Sequence, residues 1–347
     1  MATHRIDPRH EAVLEVVVEH HVMTAQPVSS ATVARRSSLR LSPATLRNIM
    51  AELEEQGFLQ QPHTSGGRIP TDRGYRLYVD DLMRVRGLTT GEKRLILTEI
   101  RNACRDVEDV LRAACNVLSR IWGQLALALG PSATEGVLRR IDLIPVSSER
   151  VLVVLSVASG VIKTVLVEAV QSVDPGKLEA VARLLNERLS GVPLSEALSI
   201  ISSEPHAFSS GDAAVRQVLV RLADRGSVSK LGGDLFLDGT TRLLSQPEFE
   251  SRGMVGRFLQ IVEAREPIVR ELALLRHQTM PMVVIGRENA VNELQECSMV
   301  AAGYRVGKAS GAVGILGPIR MPYSTLLPAV QFVACAVSDL FSQQGRA

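Results

Sequence analysis

Arg40, Ser42, Thr45, Arg47 and Asn48 fall within nine residues of this 347-residue chain, and every one of them can donate hydrogen bonds. Donors of these types suit phosphate oxygens and base edges alike. Ser42 before Pro43 is an N-cap followed by a proline at the first helical position, so the cluster falls on the opening turns of a helix that runs to Gln56 and stops at Gly57. Leu46, Ile49, Met50 and Leu53 stand at i, i+3, i+4 and i+7 and give that helix one core-facing stripe. Thr45, Arg47, Asn48 and Glu52 must then look elsewhere. Glu52, Glu54 and Glu55 follow one to two turns after the cationic end, where phosphates would repel them if the helix lay flat in a groove. The order of charge along this helix predicts an end-on approach to a duplex, at a small cost from acids near the negative end of the helix dipole.

A second donor set follows at His63, Thr64, Ser65 and Arg68, around Gly66-Gly67. Phe58 to Pro62 and Arg68 to Pro70 are two short extended pieces bracketing this glycine tip, with their prolines confining each strand to an edge. Glycine lets the backbone approach a phosphate closely, and Arg68 can reach that phosphate or enter a narrow minor groove. For His63 alone, a solvated loop histidine and a phosphate contact both stay open.

The elements that must hold these groups can be read upstream. Asp7-Pro8 caps a first helix with Val13, Leu14, Val17 and Val18 on one side, and Ser29 or Ser30 caps a short second helix through Arg36. Three helices followed by a hairpin is the winged helix-turn-helix order, in which the third helix enters the major groove. Between Ala31 and Arg76 stand seven arginines against four acids, three of them at the end of the third helix. The candidate DNA-contacting residues are Ser29, Arg36, Arg40, Ser42, Thr45, Arg47, Asn48, His63, Thr64, Ser65 and Arg68.

Beyond a fourth helix from Thr71 and a linker at Gly87 to Gly91, Thr89 and Glu92 form a capping box. It opens a long helical stretch expected to reach about Leu129, with Leu95, Ile100, Leu111, Leu118, Ile121 and Leu125 apolar. From Arg139 the pattern turns to strands, at Leu143 to Val146, Val151 to Val157 and Val161 to Val167. A helix from Lys177 to Leu189 and a mainly helical region with a short strand at Asp234 to Leu237 follow. Strands return at Met282 to Ile285, Ser298 to Val306 and Ala312 to Leu316, before a last helix from about Ser324. This reads as an α+β chain: a DNA-binding domain over 1–86, a helical connector over 87–135, and one sheet domain over 136–192 and 279–347 interrupted by an inserted segment over 193–278.

Composition narrows the functional class. The chain is 46% apolar and 22% charged, enough to bury real cores, and 39 basic against 37 acidic residues leave a net charge of +2 that says little about partners. Of the basic residues 34 are arginine, which reads as coding bias. Four scattered cysteines, Cys104, Cys115, Cys297 and Cys335, offer no zinc spacing and no disulfide framework, and fit a reducing compartment as core thiols. The N-terminus meets an acidic helix instead of an apolar leader, and the uncharged run Met321 to Ser338 holds Pro322, Pro328 and polar residues. A cytoplasmic protein without a membrane span, cofactor or metal is expected. Gly303 to Lys308 lacks the spacing of a P-loop, and Val157 to Gly160 gives no nucleophile elbow, so no enzyme is expected. A rival reading makes the sheet domain a small-molecule sensor, although Gly286 to Asn289 reads more easily as a capped turn.

Pro27 to Ser30, Leu41 to Gly57 and Gln61 to Arg76 resemble the HrcA family of bacterial heat-inducible transcription repressors, as do Val284 to Asn289, Cys297 to Val300 and Gly314 to Tyr323. Weaker similarity at Leu243 to Phe249 extends the resemblance over essentially the whole chain. It implies a winged-helix domain and a GAF-like domain carrying an inserted, mainly helical dimerisation segment. It further implies a homodimer that represses class I heat-shock, or chaperone, operons at an inverted-repeat operator, depends on the GroEL chaperonin for its active state, and is released on heat stress when that chaperonin is titrated away.

Overall fold

A computed structural model describes residues 6–37, 39, 41–62, 67–103, 106–158, 160–209, 211–224, 231–250 and 252–344. The first unit is a helical head. Helices α1 (Pro8–Thr24), α2 (Ser30–Arg36) and α3 (Pro43–Glu55) are followed by the hairpin β1 (Leu59–Gln60) and β2 (Ile69–Pro70) and by α4 (Asp72–Leu77), which continues as one wide turn over Tyr78–Leu82. Asp7, Ser29, Ser42 and Thr71 each accept a backbone N–H as N-caps, so the starts of the helices are written in the sequence. Gly74 sits against the Phe58 carbonyl, where a Cβ would lie 2.2 Å from the oxygen, which lets α4 close over the root of the wing.

The body is a five-stranded antiparallel sheet in the order β7-β3-β10-β9-β8, built from β3 (Leu125–Leu129), β7 (Leu235–Asp238), β8 (Met282–Ile285), β9 (Cys297–Val306) and β10 (Ala309–Pro318). Helices cover both faces. One face packs on α5 (Thr90–Asn102), α6 (Val107–Trp122) and α14 (Tyr323–Gln344), in a core continuous with that of the head. The other packs on α12 (Arg252–Ala264) and α13 (Glu266–Leu275), with the short α11 (Thr240–Leu244) beside them. Helix α14 is long and apolar enough by composition to cross a membrane, yet it lays Leu326, Val330, Val333 and Val337, all fully buried, against the sheet.

Three expectations are corrected. The long helix to Leu129 is two helices and a strand: all five residues of Leu125-Ala126-Leu127-Ala128-Leu129 are buried, the alanines toward α6 and the leucines toward the α12–α13 side. A strand covered on both faces shows no alternation of polarity, so its run reads like the end of a buried helix. Within the preceding helix the inward position is Ile96, while Leu95 is exposed. The strands after Arg139 do not join the body sheet either: β4 (Leu138–Ser147), β5 (Arg150–Val157) and β6 (Ile162–Glu168) form a separate meander. This meander shares its own core with α7 (Pro175–Leu189), α8 (Leu194–Ser203), α9 (Pro205–Phe208) and α10 (Ala213–Leu222). The insertion therefore spans about 133–231, and residues 235–278 return to the body. Its two ends meet where Gly130 N–H donates to the Asp234 carbonyl, and a Cβ on Gly233 would lie 1.8 Å from the Gly130 oxygen.

Candidate nucleic-acid interface

Helix α3 buries Leu46, Ile49, Met50 and Leu53 against α1 and α2 and leaves Ser42, Thr45, Arg47 and Asn48 exposed. Ser42 Oγ accepts from the Thr45 N–H at 3.1 Å and lies 2.9 Å from the Thr45 hydroxyl. This serine therefore sets the start of the helix before it can meet any ligand. Ser29 does the same for α2, accepting from the Thr32 N–H at 3.2 Å, and is half-buried. Arg36 is exposed at the end of α2, as is Arg35 beside it. The structure thus brings Arg47 and Asn48 together on the outward face of α3 as donors with no capping duty. Arg40, His63, Thr64 and Ser65 lie outside the described residues.

Arg68 takes a different place from a free fingertip. Its backbone N–H and C=O pair with Val28 across an isolated bridge, tying the wing to the α1–α2 loop. Its Nε donates to Glu54 at 2.8 Å, and its side chain is only 17% exposed. The wing arginine thus reaches back to the third helix, and a phosphate must compete with Glu54 for it. Glu52 is also engaged, accepting from His10 Nε2 at 2.7 Å. Two of the three glutamates expected simply to avoid the duplex therefore hold α3 to α1 and to the wing. The signal was present in their charge, but their partners lie 42 and 14 residues away and no local pattern pairs them. Arg73 completes the scaffold, donating to the Gln56 carbonyl at 3.0 Å with its guanidinium 4.7 Å from the Phe58 ring centre.

Behind this surface, His21 at the end of α1 shares a 2.7 Å hydrogen bond with the Tyr75 hydroxyl. Burial, aided by the Arg320 guanidinium, lowers its pKa to about 4, so the imidazole is neutral near pH 7. His21 and Tyr75 also line a cavity of about 620 Å³ between head and body, whose far wall includes Phe249, Met254, Phe258 and Ile319. Gly286 to Asn289 is a tight turn: Asn289 Nδ2 donates to the carbonyls of Gly286, Leu294 and Cys297, and Glu288 accepts from the Ile285 N–H. The thiols of Cys115 and Cys297 are buried and desolvation raises both pKa values, that of Cys297 to about 12, as expected of core residues, whereas Cys335 on α14 is exposed and departs from that expectation.

The chain as a whole is similar to known proteins. Residues 108–327 match the family described as HrcA protein C terminal domain. The chain is 36% identical to the heat-inducible transcription repressor HrcA of Syntrophobacter fumaroxidans, covering 98% of this chain and 99% of that one. It is 37% identical to the repressor of the same name from Prosthecochloris aestuarii, over 99% of each chain. A crystal structure of a hypothetical protein, solved at 2.2 Å, superposes with a TM-score of 0.58 and 22% identity over 98% of this chain and 99% of that one, and so shares the fold.

Proposed function

This chain belongs to the HrcA family, and from that premise we propose that it represses heat-shock (chaperone) operons by binding an inverted-repeat operator as a homodimer. The observation on which the reading rests is the exposed, donor-bearing first turns of α3, held outward by a fully buried opposite stripe. Arg47 and Asn48 read base edges in the major groove, while Ser42 and Thr45 fix the tip that presents them. Arg36, Arg40 and the wing residues His63, Thr64, Ser65 and Arg68 meet the phosphate backbone, Arg68 after exchanging Glu54 for a phosphate. Such a protein is a regulator and not an enzyme, and it acts in the cytoplasm, where the operons are.

The dimer half of the proposal has its own support. The outward face of the β4-β5-β6 sheet presents Ile144, Val146, Ile162 and Leu166, which are 46%, 59%, 63% and 47% exposed, with Leu152 and Val154 between them. An exposed apolar group of this kind, bordered on the same face by the Arg140–Asp142 and Arg150–Glu168 ion pairs, suits a protein interface, and a second copy supplies the same face in return. Two heads so joined meet successive half-sites on one side of the duplex and occlude polymerase. Loss of repression on heating follows from dependence on the GroEL chaperonin, which the family resemblance implies: chaperonin occupied by other clients leaves the repressor inactive.

Footprinting the purified protein on chaperone promoters, with and without chaperonin, tests the whole reading. Protection of a two-fold site that strengthens with chaperonin is expected; no protection under either condition removes it. The second reading, control by a small molecule, has the 620 Å³ cavity in its favour, since that size suits a drug-sized ligand. A thermal shift from cell-extract fractions that also changes operator affinity would favour it.

A further inference from the structure

Two segments that the DNA-binding reading leaves idle meet across the boundary between head and body. One is Asp72 to Arg76 on α4; the other is the Gly286 to Asn289 turn after β8. Arg76 Nε donates to Glu288 Oε1 at 2.8 Å and its Nη2 to Glu288 Oε2, a two-pronged fork. Nη2 also meets the Val283 carbonyl at 2.6 Å, and Nη1 donates to Asp80 at 3.0 Å. Burial alone would lower the Arg76 pKa, but the bonds to Glu288 and Asp80 raise it above its ordinary value. Beside the fork, Asp72 Oδ2 accepts from the Arg287 N–H at 3.1 Å. Gly286 has φ +52°, and a Cβ on it would lie 2.3 Å from Asp72, so the turn needs glycine both for its backbone and for this approach. Glu288 and Asn289 already brace the turn from within, so the carboxylate is aimed before the arginine arrives.

Elsewhere the two units touch mainly through apolar surface, such as the Tyr75 and Tyr323 rings 6.1 Å apart, and through Arg320, which bonds the Val22 carbonyl while paired with Glu248. The chain crosses between them over 83–89 without regular structure, and within it the Arg86 N–H donates to the Ser324 carbonyl at 2.9 Å. Apolar contact has no preferred direction, whereas a guanidinium–carboxylate fork is planar and directional. A dimer on an inverted repeat needs both heads at a set angle, because rotating either one shifts its α3 tip along the groove.

We propose that the Arg76–Glu288 fork, seated on the Gly286–Asn289 turn, fixes the angle of the winged-helix head on the body and thereby selects the half-site spacing that the dimer accepts. This inference rests on the DNA-binding reading above. Arg76, Glu288 and Asp72 are positioning residues: they touch no DNA and act through the orientation of α3.

The test titrates full-length parent, Glu288→Gln, Arg76→Lys and Asp72→Asn proteins against synthetic duplexes. One set carries the footprinted operator with its half-sites at natural spacing or moved by one and two base pairs, and another carries a single half-site. The fork variants are expected to bind the single half-site within about twofold of the parent yet lose roughly tenfold at the natural spacing, as removal of one charge-assisted bond predicts. At altered spacings they approach or pass the parent, so the preference flattens, and Asp72→Asn, which loosens the same seam by a different contact, flattens it too. A spacing profile identical to the parent's overturns the proposal. So does an equal loss on every duplex including the single half-site, which would mean that the seam only supports the fold of the head. If the parent itself binds no duplex, the DNA-binding reading has failed first and this inference goes with it.

Discussion

The outward face of α3 and the outward face of the β4-β5-β6 sheet are both uncovered, but their chemistry is opposite. The first shows Thr45, Arg47 and Asn48 above a fully buried stripe; the second shows Ile144, Ile162 and Leu166 above a core of its own. Polar donors in water cost nothing to leave exposed and gain when they meet phosphates and base edges. Exposed aliphatic groups over a contiguous area gain only by being covered. On the proposed function the first surface meets a duplex and the second a copy of the same chain, and the Arg76–Glu288 seam joins the head that carries the first to the body. The separation of the two cores explains how one chain can hold both surfaces without compromise.

The strongest way to break that contrast is Leu166→Asp, on the edge strand β6 opposite Leu152. A carboxylate buried there should weaken the dimer by at least ~3 kcal/mol, a hundredfold or more in dissociation constant, read by sedimentation velocity at micromolar concentration. A dimer of unchanged strength would place the interface elsewhere. Next come Arg47→Ala and Asn48→Ala, each expected to cost roughly 1 to 3 kcal/mol on the operator and to relax discrimination at particular bases while leaving the dimer intact. Equal losses on operator and random DNA would remove base reading from this helix.

A pH effect sharpens the contrast from the side of the head. His21 is held neutral in the folded state at a pKa of about 4 against 6.5 when unfolded, so its contribution is fully present above pH 6.5 and is lost as pH falls toward 4. The loss amounts to ~3 kcal/mol. Melting followed by the single tryptophan, Trp122, which packs on the core shared by head and body, should show this slope in the parent and a shallower one in His21→Gln. Equal slopes would mean that His21 is not the titrating group. The smallest effect belongs to Glu54→Gln. Freeing Arg68 should tighten binding to operator and random duplex alike by under ~1 kcal/mol and steepen the salt dependence by about one phosphate contact. Weaker binding would show instead that Glu54 is needed to hold the wing in place.

The head was the most legible part of the chain because its rules are local. Asp7, Ser29, Ser42 and Thr71 announce helix starts within three residues, and Leu46 to Leu53 announce the buried face within two turns. The body was less so. Leu125 to Leu129 has no alternation because both of its faces are covered, and the strands after Arg139 look the same whichever sheet they join. The roles of Arg68 and Glu54 also escaped, since a surface arginine next to glycines reads as a free cation until its partner is placed.

Amino-acid order alone therefore determined the helices of the head, their caps and the donor-bearing tip of α3, because each depends on residues within a turn or two of one another. Tertiary structure decided which strands share a sheet, where the insertion begins and ends, and that Arg76 grips Glu288 across 212 residues. Such pairings depend on loop closure and on packing of the whole core, and no short window of sequence contains both partners.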